Sequence, residues 1–164
     1  MRKVPIISSA PFELFLDLDG VFADFDKRVI HLSGGRHPRE IKQGMWKMIM
    51  ADRDFFISLE MMPDAMTLWD YVKQYKPKFL TGAPPGNRAQ SQKREWVVKH
   101  FGPEHQTIVL PSKEKQNYSG HYKVLVDDMS KNIDAWISKG GAGILHRDVW
   151  DTIDQLEELR AQYS

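Results

Sequence analysis

The chain reads as an α/β domain, a three-layer sandwich around a parallel five-stranded sheet, with a small helical cap inserted after strand 1. Three observations predict this. Five short apolar runs alternate with segments of helical spacing. The runs are apolar throughout rather than alternating, as strands covered on both faces are. The interval from Gly20 to Pro63 holds helical spacing but no strand.

The runs are "FELFLDL" at 12–18, "KFLT" at 78–81, "TIVL" at 107–110, "YKVLVDD" at 122–128 and "AGILH" at 142–146. The second is closed by "GAPPGN", a strong turn signal. Helices are expected between them. In 63–75, Pro63 suits a first turn, and Met66, Trp69, Val72 and Tyr75 recur at helical spacing. In 87–101, Trp96, Val97, His100 and Phe101 share a side, and Gly102-Pro103 ends the helix. In 130–138, Ser130 is the expected cap, with Ile133, Trp136 and Ile137 inward. In 148–163, Asp148 is the expected cap, and Val149, Ile153, Leu156, Leu159 and Tyr163 form the stripe. Within the insertion, Ile41, Met45, Met48 and Ile49 have helical spacing, and His31 and His37 read as surface residues. The expected division is a core of residues 1–20 and 76–164, with residues 21–75 forming the cap and its return helix.

The chain has 164 residues, enough for one compact core. Its 23 Lys+Arg against 22 Asp+Glu give no bulk attraction to nucleic acid or membrane. The absence of cysteine excludes disulfides, thiol catalysis and thiolate metal sites. Arg2 and Lys3 precede apolar residues, but Pro5, Pro11 and Glu13 break the run. No signal peptide or membrane span is expected, and the reading is cytoplasmic.

The chemistry gathers at the strand ends. In an open α/β sheet, sites form beyond the carboxyl ends of the strands. Asp17/Asp19, Thr81-Gly82, "PSKEK" at 111–115 and Asp127-Asp128 each fall at the end of a different predicted strand. Taken singly, each has a bland explanation as a turn, a cap, a strand residue or exposed surface. Together, in the order D, T, K, DD, they point to one crevice. Carboxylates converging there repel unless a cation compensates. An oxygen-rich set without Cys or a His motif suits a hard ion, most simply Mg²⁺.

"DLDGVFADF", "FLTGAP", "PSKEK" and "VLVDD" resemble the four motifs of haloacid-dehalogenase-type (HAD-like) phosphatases. "FFISLEMMPDA", "KREWVVKHFGP" and "IVLPSKEK" further resemble the 5′(3′)-deoxyribonucleotidases. The resemblance covers nearly all of the chain after residue 11. It implies a Rossmann-like core and a Mg²⁺-dependent phosphomonoesterase for (deoxy)nucleoside monophosphates, working through an aspartyl-phosphate. Asp17 would be the nucleophile and Asp19 the general acid and then base. The ion would bind the Asp17 carboxylate, the Asp19 backbone carbonyl and Asp128, with Asp127 supporting. Thr81 would hydrogen-bond a phosphoryl oxygen, and Lys115 would neutralise its charge.

Lys113 competes with Lys115 for the motif lysine, and the family pattern favours Lys115. Lys93 matches a family lysine that could reach the phosphate, and equally reads as a solvated helix position beside Arg94 and Lys99. Gly82 departs from the Ser usual in the family, which bears on substrate preference, although its amide could still donate. In the cap, Trp46, Phe55 and Phe56 could stack on a base or form the cap's own core. Asp24 and Asp26 read as turn or helix-start residues.

The expected partner is a small phosphate monoester. No membrane is expected, polynucleotide is disfavoured, and a homodimer is left open. Alternatives are the same chemistry on a sugar phosphate or a polynucleotide 3′-phosphate, or an inactive binding protein of the same fold. A receiver domain fits poorly, because there the acidic pair precedes the acceptor and here it comes last.

Overall fold

The computed structural model describes all 164 residues. Its strands are β1 (Glu13–Leu16), β2 (Lys78–Gly82), β3 (Thr107–Leu110), β4 (Lys123–Asp127) and β5 (Ala142–Leu145). They form one parallel sheet in the order β3-β2-β1-β4-β5. The chain starts at the centre, builds outward through β2 and β3, and then crosses to β4 and β5. The order therefore reverses between β1 and β4, where a crevice opens beyond the carboxyl ends.

Alternate strand residues feed opposite faces. Leu14, Leu16, Phe79, Val124 and Val126 pack with α3 (Ala65–Val72), α4 (Asn87–Phe101) and α6 (Val149–Tyr163) in the main core. Phe15, Leu80 and Leu125 pack with Ile133 and Trp136 of α5 (Ser130–Ser138) on the other face. A 3₁₀ turn at Ser112–Tyr118 extends that second cover. Stacked rings join cap neck to sheet: Trp69 lies 4.3 Å from Phe101, Phe101 5.6 Å from Phe79, and Phe22 stands edge-on to Phe79. Such pairs add about 0.5–1.5 kcal/mol each beyond area burial.

All five strands and the four helices predicted from residue 63 onward lie where the sequence puts them, with four local corrections. α3 starts at Ala65 with Asp64 as its cap, so Pro63 lies outside the first turn. Met66 is 47% exposed, and Leu68 and Tyr71 fill the inward positions instead. Ile137 is 50% exposed on α5. Ser130 is not the α5 cap: Met129 holds that position, and its N–H donates to Asp127 at 2.9 Å. Asp148 does cap α6, accepting from the Asp151 N–H at 2.9 Å.

The insertion leaves and rejoins the core through a paired neck. The Asp24 N–H donates to the Glu60 carbonyl and the Met62 N–H to the Phe22 carbonyl, each at 2.8 Å. Asp24 caps α1 (Phe25–Leu32) by accepting from the Lys27 N–H. A 3₁₀ turn at Pro38–Glu40 precedes α2 (Met45–Ala51). Gly44, with φ +81°, breaks the helical spacing that runs from Ile41 to Ile49. The return segment is bound along α4. Arg88 donates to the Met50 carbonyl, and Gln92 bridges the Arg53 carbonyl and the Phe56 and Ile57 N–H groups. Trp96 donates to the Leu59 carbonyl at 2.8 Å. No helix is long and apolar enough to cross a membrane.

Candidate active site

β1 runs apolar to Leu16 and then delivers Asp17, whose N–H still pairs with the Val126 carbonyl at 3.0 Å. The chain turns at once. The N–H groups of Val21, Phe22 and Ala23 all converge on the Leu18 carbonyl. Gly20 makes this possible, with φ +83°, a region L side chains rarely adopt. A Cβ at Gly20 would also overlap the Asp128 carboxylate. The turn and the second acidic pair are thus packed directly together.

Lys115 stands at the centre of the acids. Its Nζ donates to Asp17 Oδ1 at 2.9 Å and to Asp127 Oδ2 at 2.8 Å, and the residue is 2% exposed. Burial alone would lower the lysine pKa, but attraction from Asp17 and Asp127 outweighs it and raises the value. Asp127 also accepts from Asn132 Nδ2 at 3.1 Å. Lys113 lies exposed on the crevice wall, so geometry selects Lys115 as the lysine among the carboxylates.

One carboxylate oxygen from each of Asp17, Asp127 and Asp128 lies within 4.8 Å of the other two. Burial, and then repulsion from Asp127, Asp128 and Asp19, push the Asp17 carboxyl well above its ordinary range, against the pull of Lys115. Burial, followed by repulsion from Asp127, pushes Asp128 up to about 6. One buried lysine leaves this group under-compensated. Crowded hard oxygen donors short of positive charge are the set a small divalent cation fits.

Asp19 sits apart from that trio. Its Oδ2 accepts from Lys93 Nζ at 2.7 Å, and the same ammonium donates to Thr81 Oγ1 at 3.1 Å. Lys93 is 2% exposed and lies 4.9 Å from the Phe56 ring centre. A solvated position on α4 is therefore excluded. Its partner comes from 74 residues earlier in the chain, beyond the reach of local patterning.

The crevice over these acids has a volume of about 960 Å³. That is near the upper end of the ~300–1,000 Å³ typical of small-molecule sites. Gly82, Ser112 and Lys113 line its core side, and Trp46 its cap side. Trp46 is 47% exposed and tilts against Phe25, 6.1 Å away. Phe55 does not reach the wall: it is 1% exposed and packs edge-on to Phe25 and Phe56 in the cap core. Thr81, Lys93 and Asp127 lie behind the wall.

Phe25, His37 and Asn132 are among the lining residues that the sequence pattern does not disclose. Phe25 had one signal, an aromatic between two acids at a helix start. His37, read as surface, donates from Nε2 to Asp26 at 3.1 Å while Nδ1 accepts from the Arg39 N–H. Asn132 is visible only through its contact with Asp127.

Residues 36–161 match the family model for 5′ nucleotidase, deoxy (pyrimidine), cytosolic type C proteins. The mouse mitochondrial 5′(3′)-deoxyribonucleotidase is 27% identical over 150 residues, which covers 74% of this chain and 66% of that protein. Mouse tight junction protein ZO-3 is 27% identical over 111 residues, 66% of this chain but 12% of its own length. Among solved structures, a hydrolase from Streptococcus pneumoniae aligns with TM-score 0.54 at 12% identity, over 89% of this chain and 98% of that one. A HAD-superfamily hydrolase from Ehrlichia chaffeensis aligns with TM-score 0.51 at 10% identity, over 94% of this chain and all of that one. The two structures share the α/β fold. The family match takes in β2 to β5 and their site residues, and the chain belongs to the HAD-like 5′ deoxynucleotidase family.

Proposed function

We propose that the chain is a Mg²⁺-dependent phosphomonoesterase that dephosphorylates (deoxy)nucleoside monophosphates through an aspartyl-phosphate intermediate. The observation that carries this reading is the placement of Asp17. It is a buried carboxylate at the strand end, held by Lys115 and crowded by a second acidic pair, at the floor of an open crevice.

The Asp17 carboxylate attacks phosphorus in line with the ester oxygen, and the P–O bond to the leaving alcohol breaks. Asp19 gives its proton to that alkoxide. It then takes a proton from the water that attacks the aspartyl-phosphate, releasing inorganic phosphate and restoring Asp17. Lys93 holds the Asp19 side chain in place at 2.7 Å, aimed for both proton transfers. Lys115 offsets negative charge on the transferring group. The Thr81 oxygen accepts from Lys93, which leaves the hydroxyl proton for a phosphoryl oxygen. Asp17, Asp128 and the Asp19 backbone carbonyl would hold the Mg²⁺, supported by Asp127. The ion would supply the positive charge that lets carboxylate and phosphate approach.

The leaving group is read by the cap. Trp46 and Phe25 offer ring faces to a nucleobase across from the proline-lined core loops. A cysteine-free chain needs no oxidising compartment, and we place the reaction in the cytoplasm.

The test is phosphate release from a panel of ribo- and deoxyribonucleoside 5′- and 3′-monophosphates, sugar phosphates and a 3′-phosphorylated oligonucleotide. The expected result is a preference for mononucleotides, abolished by EDTA and by Asp17→Asn. Equal turnover of all small phosphates would remove the nucleotide reading. Undiminished activity in Asp17→Asn would remove Asp17 as nucleophile.

A further inference from the structure

Ser112 opens the 3₁₀ turn that carries Lys115 and lines the same crevice as Asp17 and Asp19. Its hydroxyl makes no hydrogen bond within the chain, although neighbouring polar groups around the acids are paired. It also occupies a particular place. A Cβ built on Gly82, at the end of β2, would overlap Ser112 Oγ and lie 3.2 Å from Ser112 Cβ. Ser112 therefore puts its hydroxyl where a side chain at position 82 would stand, directly after Thr81. Thr81 itself is fully buried and already engaged by Lys93.

A phosphoryl group presents three non-bridging oxygens, and donors aimed at them stabilise its transfer. Lys115 is shared between two carboxylates, and Thr81 offers one proton from beneath. We infer that Ser112 is a substrate-binding residue that donates its hydroxyl to a phosphoryl oxygen, taking over the place left empty by the missing side chain at Gly82. The inference rests on the phosphatase reading and assigns one more contact to it.

The space holds one hydroxyl, so the two positions should be exchangeable. Ser112→Ala and Ser112→Gly are expected to lower kcat/KM on an aryl phosphate by about 100-fold, the lower end of the range for a lost transition-state donor. Binding of inorganic phosphate in the presence of Mg²⁺ should weaken about 10-fold, the scale of one lost hydrogen bond to a charged group. Gly82→Ser alone should also be impaired, because its side chain collides with Ser112. The double variant G82S/S112G clears the collision, since the nearest remaining atom, the residue 112 Cα, is 3.4 Å away. It should return both readouts to within a few-fold of the parent. Thermal melting of each variant separates misfolding from lost contact, and Ser112 is exposed, so its own variants should melt normally. Parental phosphate affinity in Ser112→Ala, or a folded double variant no better than Ser112→Gly, would overturn the inference. A parent chain that binds phosphate through Ser112 yet hydrolyses no ester would instead overturn the phosphatase reading alone.

Discussion

Replacing Lys115 by Met tests the electrostatics of the site without substrate. The lysine is 2% exposed and bridges Asp17, 5% exposed, and Asp127, 0% exposed. Methionine fills similar volume but leaves these carboxylates and Asp128 without a cation. Breaking a buried ion pair by removing one partner costs about 3–5 kcal/mol. In a chain of this size 1 kcal/mol moves Tm by roughly 2–4 °C, so a loss of about 10 °C is expected in EDTA at pH 8. The pH dependence is the sharper test. Asp17 is already raised above its ordinary range by burial and by its acidic neighbours, and Lys115 is what lowers it. Without Lys115 its folded pKa rises further. A raised folded pKa contributes stability that is present at low pH and lost as pH climbs through it. The bridging lysine of the parent has a raised pKa too, so its contribution stays constant up to the ordinary lysine range, well above pH 8. The gap between parent and Lys115→Met should therefore shrink from pH 8 to pH 5, by about 1.4 kcal/mol for each unit of extra Asp17 shift. Urea unfolding in EDTA at the two pH values measures it. A gap below about 1 kcal/mol at pH 8, far short of a broken buried pair, would refute the reasoning. So would a gap that does not change with pH.

The same site yields three further expectations. Asp128 is pushed up to about 6 by burial and then by Asp127, so the metal-free protein loses stability as pH rises through 6 and a proton competes with Mg²⁺ below it. The Tm increase on adding Mg²⁺ should be larger at pH 8 than at pH 5, and equal increases would count against a metal-binding acidic centre. Gly20→Ala forces a side chain to φ +83° and against Asp128. It should cost about 1–2 kcal/mol by urea unfolding and reduce the Mg²⁺ response. Lys93→Met removes the ammonium that positions both Asp19 and Thr81, so kcat should fall with KM changed less. An unchanged kcat would reduce Lys93 to a packing role.

The sheet is legible because its strands are continuous apolar runs stopped by polar ends, and the acids, threonine and lysine at those stops gain meaning from falling at four different strand ends. Capping and glycine signals similarly locate α4 and α6. What spacing cannot say is which face turns inward. Met66 and Leu68 are both apolar, and only packing against α6 and the sheet selects Leu68. The cap resists reading for another reason. It is held by side chains on the carbonyls and N–H groups of irregular backbone, from Gln92 and Trp96, and such pairs leave no periodic trace. Lys93 and Ser112 share this property. Each takes its meaning from a residue on another strand end, Asp19 or Gly82, that no local window contains.

One helix carries both jobs of this site. On α4, Arg88, Gln92 and Trp96 grip the cap's return segment, and Lys93, one position past Gln92, grips Asp19. In the proposed mechanism, the roof that would read the base and the acid that would donate the proton are therefore bolted to a common beam. Retuning the roof for a larger or smaller base by shifting residues 50–59 would drag the beam, and the acid with it. Under that mechanism selectivity and turnover are coupled, so changes of specificity are most safely sought at Ala83, Pro84 and Pro85 after β2, away from Ser112 and Lys115.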